Sequence, residues 1–236
     1  EEVLWLKMAR EVLRIPHFAP ALAAGLFPDG LTFGRVSSEL VARALEEVRP
    51  RFPPLQLPRS AQRAGAEEVR RIAGSAFFEV GLSFQAADRG GASIAARASL
   101  ADMPGLRQLI EAASSAIATP AIALREERLN VICRRYVAGQ GITFHTDRRS
   151  MFEEDVYGCV LMNTSDRVLE FVRKGRGGAL WGVHGVDERP GACFRQRGEA
   201  RYKWFHGVKP LSHGERISVT WRWFAQEACL SARAAL

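Results

Sequence analysis

From Leu129 onward the chain is cut into short stretches rich in Val, Ile, Phe, Tyr and Trp: "LNVICRRYV", "GITFH", "VYGCVLMN", "RVLEFVRK", "GACFRQRG", "RYKWFHGV" and "RISVTWRWF". Gly, Pro or the polar run "NTSD" punctuates them. These residue types suit a pleated, half-buried surface, so each stretch reads as a strand. Seven such runs within about a hundred residues point to an all-β sandwich or jelly roll.

The residues before Leu129 have a different texture. "EEVLWLKMAREVL" places Val3, Leu4, Met8, Val12 and Leu13 near helical spacing, with acidic residues at its start. "SSELVARALEEVR" gathers Leu40, Val41, Ala44, Leu45 and Val48 on one face behind a capping serine. "PRFPPLQLP" breaks the pattern with prolines, "FFEVGLSFQ" reads as a strand, and "LRQLIEAASSAI" as a helix starting near Met103-Pro104. The expected class is α+β. A helical, loop-rich N-terminal extension and candidate substrate lid (residues 1–125) would pack against a jelly-roll, or double-stranded β-helix, core (residues 126–236). The two parts would form one compact unit.

The net charge is +7 and the sequence pI about 9.7, with lysine only at Lys7, Lys174, Lys203 and Lys209. Two sources fit this arginine excess: a compositional bias toward Arg, Ala and Gly, or a surface that attracts phosphate through bidentate guanidinium pairs. Cys133, Cys159, Cys193 and Cys229 are scattered with no Cys-x-x-Cys, which excludes a zinc knuckle and a secreted disulfide framework. An intracellular, reducing compartment is expected: cytoplasm, nucleus or organelle matrix. No apolar run approaches the ~20 residues of a membrane span. The chain opens on Glu1 rather than Met, so a segment upstream is expected, with a targeting peptide among the candidates.

His145 and Asp147 stand at i and i+2 in "ITFHTD", so on a strand both side chains point to one side. Two ligands leave a metal site incomplete, and non-haem iron(II) oxygenases use two histidines and one carboxylate. The other histidines are His17 in the helical part, His184 and His213 in Gly-rich turns, and His206 at the end of "RYKWFH". His206 is the best geometric partner. His-x-Asp alone is a weak signal, since most such pairs are surface polar residues. Arg216 and Arg222 strengthen it, because their spacing puts both on one face of "RISVTWR", opposite Ile217, Val219 and Trp221. Inward arginines require an anion, and two of them facing a cavity suit a dianion such as 2-oxoglutarate. The alternative is an exposed strand with solvated arginines.

With these pieces in order, the span from Asn130 to Phe224 resembles the AlkB group of Fe(II)/2-oxoglutarate dioxygenases. "RYVAGQGITFHTD" is similar to the group's Tyr-x-x-Gly-x-x-Ile-x-x-His-x-Asp. "SMFEEDVYGCVLMN", "GEARYKWFHGVKP" and "ERISVTWR" resemble its later segments. The resemblance implies that His145, Asp147 and His206 hold Fe(II), and that Tyr136 donates its hydroxyl to 2-oxoglutarate. It also implies that Arg216 binds the distal carboxylate and that Arg222 lies near the metal and the substrate. O2 would be the second co-substrate. The implied chemistry is hydroxylation of a C–H bond, or demethylation where the carbon is an N-methyl. Arg134 departs from the group's usual Asn, and Trp221 from its commoner Phe.

Three functions follow as expectations. The first is oxidation of a nucleobase in RNA or DNA, with Arg148, Arg149 and Phe152 as substrate-binding residues and Tyr202 and Trp204 as further aromatic candidates. Phe152 and Trp204 could equally be core residues. The second is oxidation of a protein side chain on the same scaffold, favoured by a surface lacking a continuous basic track. The third is a catalytically silent jelly roll that binds or assembles, with a malformed site around Arg134.

Overall fold

The computed structural model describes residues 27–53, 75–86, 92–118, 123–174 and 180–229. The helix expected at residues 1–13, His17, and the proline-rich stretch beyond Pro53 lie outside them. The strands are β1 (Leu31–Arg35), β2 (Ala76–Ala86), β3 (Ala92–Ala96), β4 (Leu129–Val137), β5 (Ile142–His145), β6 (Phe152–Asn163), β7 (Leu169–Lys174), β8 (Leu180–Gly185), β9 (Ala192–Gln196), β10 (Trp204–Val208) and β11 (Glu215–Phe224). The helices are α1 (Ser38–Val48), α2 (Pro104–Ile117) and the short α3 (Gly198–Tyr202).

Two antiparallel sheets form. One has the order β1-β9-β6-β11-β4-β2-β3 and the other β5-β10-β7-β8. From β4 onward the chain passes back and forth between them, the connectivity of a double-sheet jelly roll. All seven expected strand runs form, within a few residues of their sequence limits. The strand expected at "FFEVGLSFQ" and the helices at "SSELVARALEEVR" and "LRQLIEAASSAI" form as well. Three strands were not expected. β1 and β3 lie in the supposedly helical part and extend the large sheet at its two edges. β8 carries His184, so this histidine lies in a strand and not in the turn that its flanking glycines suggest. Its "LWGVHG" is too glycine-rich to read as a strand by composition, and pairing with β7 holds it.

β11 sits in the middle of the large sheet, between β6 and β4. Its period of two sorts its side chains by face. Ile217, Val219, Trp221 and Trp223 are buried in the core that also contains α1 and α2. The Trp221 indole N–H donates to Ser114 of α2 at 3.1 Å, and its ring stacks on Tyr157. Arg216, Ser218, Thr220 and Arg222 face the other way, into a cavity between the sheets.

The helices are fixed to each other as well as to the sheet. Ser37 caps α1 by accepting the Leu40 N–H. Glu47 of α1 then accepts the Gly105 and Leu106 N–H groups, each at 2.9 Å, and so satisfies the start of α2 with a negative charge. Gly105 lets the two helices approach closely, since a Cβ there would sit 3.0 Å from the Arg43 backbone and need a shift of a few tenths of an ångström.

Gly207 has a similar role between β5 and β10. A Cβ on it would lie 2.9 Å from both the Ile142 carbonyl oxygen and the Phe144 ring. Close approach of the two strands sets His145 directly opposite His206. Gly207→Val should therefore push β5 outward. A loss of about 1–3 kcal/mol in urea unfolding is expected, together with weaker Mn(II) binding. Unchanged metal affinity would show that the approach of these strands does not set the histidine pair.

Candidate metal centre

His145 ends β5, Asp147 follows two residues later, and His206 lies in β10. One ligand atom from each converges within 4.8 Å of the others, and no other triad of His, Cys, Asp or Glu does so among the described residues. The two imidazole centroids are 4.5 Å apart. The alternatives to His206 are elsewhere: His184 packs against Phe27 and Phe33, and His213 pairs with Ser212 in an exposed bend.

The protonation states suit a metal. Burial pushes the His206 imidazole down to about 4, with His145, Arg222 and Arg201 adding and Asp147 opposing, so the ring is neutral at pH 7. Burial alone would raise the Asp147 carboxyl. The Arg222 guanidinium, with His206, His145 and Arg201, overcomes it and holds the group down to about 2. His145 Nδ1 lies 2.8 Å from the Thr143 carbonyl oxygen, which selects the Nδ1–H tautomer and leaves Nε2 as the free lone pair. His206 Nδ1 is buried with no hydrogen-bond partner, a polar atom whose burial needs compensation. Two imidazoles and one carboxylate are the donor set that suits Fe(II) while leaving positions for other ligands.

Both Asp147 oxygens are also held from behind. Arg222 Nη1 donates to Oδ1, and Gln196 Nε2 to Oδ2 at 3.5 Å. Arg222 Nε donates to Asn130 Oδ1 at 3.2 Å, and Asn130 in turn donates to Glu79 and to the Leu82 carbonyl. A cavity of about 140 Å³ opens beside the ligands, lined among others by Arg134, Tyr136, Gln196, Arg216, Ser218 and Arg222. It is small against the ~300–1,000 Å³ of drug-sized ligand sites, and suits a small acid. Burial pushes the Tyr136 phenol above its ordinary value, against Arg134, Arg216 and a hydrogen bond with Ser75. Tyr136 is therefore a donor at neutral pH.

Arg216 faces the cavity as the spacing predicts, but it already has an anion. Its Nε donates to Glu188 at 2.5 Å and its Nη1 to Ser218 at 2.7 Å. Glu188 is wholly buried and also accepts the Val168 and Leu169 N–H groups. The dianion argument from two inward arginines thus needs correction, since Glu188 neutralises one of them and Asp147 the other. The residues missed in the sequence are Glu188, Gln196, Asn130 and Ser75. Asn130 and Gln196 are polar side chains within apolar strand runs and Ser75 directly precedes one, whereas Glu188 lies in the charged loop between β8 and β9.

The three expected substrate residues are not grouped together. Arg148 and Arg149 are exposed, next to the metal pair. Arg148 lies over the Phe84 ring at 4.8 Å, and Arg149 covers the Tyr202 ring and donates to the Tyr202 carbonyl. Phe152 is buried and does not line the cavity. One neighbour of its ring is Phe224, at 4.7 Å, and another is the Arg222 guanidinium, at 3.9 Å. A ring held in this way is not placed to stack on an extruded base. Trp204 is likewise a core residue.

No protein-family model matches the chain, and no curated protein does. Among solved structures, the chain is similar to a Pseudomonas putida prolyl-4-hydroxylase, with TM-score 0.47 and 18% identity over 83% of this chain and 93% of that one. It is also similar to a prolyl hydroxylase from Trichoplax adhaerens, in complex with a hypoxia-inducible-factor oxygen degradation domain peptide fragment. There the TM-score is 0.48, with 15% identity over 86% of this chain and 87% of that one.

His206→Ala should abolish tight Mn(II) or Fe(II) binding in titration calorimetry while the far-UV spectrum is retained, because one of three protein ligands is gone. Full metal occupancy in that variant would overturn the triad. Arg216→Ala should cost about 3–5 kcal/mol in chemical denaturation, because it leaves the Glu188 carboxylate buried without its cation. The double change Arg216→Met with Glu188→Gln should recover much of that loss. A destabilisation as large as that of the single variant would refute the pairing argument.

Proposed function

We propose that the protein is an Fe(II)- and 2-oxoglutarate-dependent oxygenase. The observation that carries this reading is the convergence of His145, Asp147 and His206 beside a cavity lined by Tyr136 and three arginines. When bound, iron with 2-oxoglutarate and O2 supplies oxidative decarboxylation to succinate and CO2, coupled to insertion of one oxygen atom into a substrate C–H bond.

The chain's own residues bind and orient. His145 and His206 offer ring nitrogens, the buried His206 as a neutral imidazole, and Asp147 offers the single negative charge of the ligand set. Arg222 and Gln196 hold the Asp147 carboxylate in place for the metal. The Tyr136 hydroxyl and the guanidinium donors not already committed to Glu188 and Asp147 receive the co-substrate's oxygens. The apolar wall of Ile132, Leu169, Phe194 and Val208 limits water around the reacting atoms.

For the substrate we favour a side chain of a protein. A nucleobase enzyme needs aromatic faces beside the metal to hold the extruded base. Phe152 and Trp204 are buried here, and the Tyr202 ring is covered by Arg149. Much of the nearby positive charge is spent internally: Arg125 and Arg128 pair with Glu153, Arg197 with Glu154, and Arg135 with Glu215. The second reading, hydroxylation or demethylation of a base in RNA or DNA as the AlkB resemblance implies, is favoured by exposed Arg148 and Arg149. Among the described residues neither has a carboxylate partner.

The test is succinate formation from 2-oxoglutarate by the Fe(II)-loaded protein, with peptide libraries in one arm and single-stranded RNA or DNA in the other. Stimulation by peptides is expected, with a mass gain of one oxygen on the peptide. Stimulation by nucleic acid alone would transfer the function to the second reading. Binding should then weaken with salt by ~0.7 log unit per phosphate contact, and Arg148→Ala and Arg149→Ala should each flatten that slope. Absence of both metal-dependent 2-oxoglutarate binding and turnover would leave a silent binding or assembly module.

A further inference from the structure

The cavity holds three arginines, and two of them are already neutralised by the protein. Arg222 is paired with Asp147 and Arg216 with Glu188. Glu188 is not free to release its partner, because its second oxygen is fixed by two backbone N–H groups. Arg134 is different. It sits on β4 opposite Ser218, two residues along the strand from Tyr136, and it lines the same cavity. Among the described residues its partners are a neutral hydroxyl and an aromatic face. Its Nη1 donates to Ser75 Oγ at 2.8 Å, and its guanidinium lies 4.9 Å from the centre of the Phe77 ring. Ser75 and Arg134 both lie close enough to Tyr136 to act on its phenol. One hydroxyl therefore ties the charged head of Arg134 to the Tyr136 end of the cavity, away from the metal ligands. The Phe77 ring under it is 49% exposed, so this head stands at the mouth.

Resting on the oxygenase reading, we propose that Arg134 is the specificity-determining residue for the co-substrate. It takes the far carboxylate of a 2-oxo dicarboxylic acid, while Arg216, locked by Glu188, forms the floor of the pocket. A guanidinium has five N–H donors in a fixed fork. Arg134 spends one of them on Ser75 and keeps an uncompensated charge, so an incoming carboxylate gains a charge-assisted, bidentate partner without first breaking an ion pair. Arg216 has committed Nε and one Nη1 donor and is already charge-balanced, so a ligand carboxylate gains less from it. The Ser75 hydrogen bond and the Phe77 face hold the fork in place before the ligand arrives.

The experiment compares two acids on the Mn(II)-loaded full chain by titration calorimetry: 2-oxoglutarate, and 2-oxobutyrate, which lacks the far carboxylate. Arg134→Gln is the main variant, because it removes the charge and keeps a donor for Ser75. Arg134→Lys tests recovery by a point charge. Arg134→Gln should lose roughly 10- to 100-fold in 2-oxoglutarate affinity, with 2-oxobutyrate affinity and the ligand-free melting temperature unchanged. Arg134→Lys should recover part of the loss. An equal loss for both acids would overturn the proposal, because Arg134 would then only shape the cavity. So would an unchanged 2-oxoglutarate affinity. If the parent protein binds Mn(II) but neither acid, the oxygenase reading itself fails, and this inference fails with it.

Discussion

The alternation of side chains along one central strand organises the molecule. β11 has a neighbour on each side and a different environment on each face. One face is a row of large apolar groups under the helices, and the other is a row of polar groups in the cavity. A slip of one residue would move Trp221 into the cavity and Arg222 into the apolar core. The burial of Ile217, Val219, Trp221 and Trp223 thus fixes the directions of Arg216 and Arg222. Folding and site geometry are set by the same strand register.

The cost of charge in a dry place shapes the rest. Burying a guanidinium or a carboxylate is costly unless it is paired and hydrogen-bonded; the buried Arg201, which lies over the Tyr202 ring, is the exception here. The Glu188–Arg216 pair meets that cost with two backbone donors and a serine, and the Asp147–Arg222 pair with Gln196 and Asn130. Both pairs hold their members in one orientation, and that rigidity is what a ligand set requires. Each pair also screens its arginine from an incoming anion. Count of inward arginines is therefore a poor guide to anion binding, and the unpaired one matters more.

The sequence made the strands, the His-x-Asp pair and His206 legible, because these depend on local period and on residue types with few structural uses. The face of Arg216 and Arg222 was legible for the same reason. Their partners were not. Glu188 lies 28 residues from Arg216, and Asn130 lies 92 from Arg222, so no local pattern connects them. Phe152 shows the converse error. Its nearness to Asp147 in sequence suggested a place beside the substrate, but β6 begins there and turns the ring toward Phe224 in β11. β8 and β1 were hidden because their glycines and short length give weak strand signals, which pairing with neighbours overrides.

The position of β5 has a mechanical consequence. It is four residues long, lies at the edge of the smaller sheet, and among the described residues pairs with β10 alone. Its register with β10 is irregular after the histidine pair. Few hydrogen bonds hold this wall of the cavity, yet it delivers one ligand itself and a second just beyond its end. A divalent ion bridging His145 and His206 would act as a rivet between two segments sixty-one residues apart in the chain. Ion occupancy and the order of that edge would then be linked, so that removing the ion would loosen the strand and fraying of the strand would weaken ion binding.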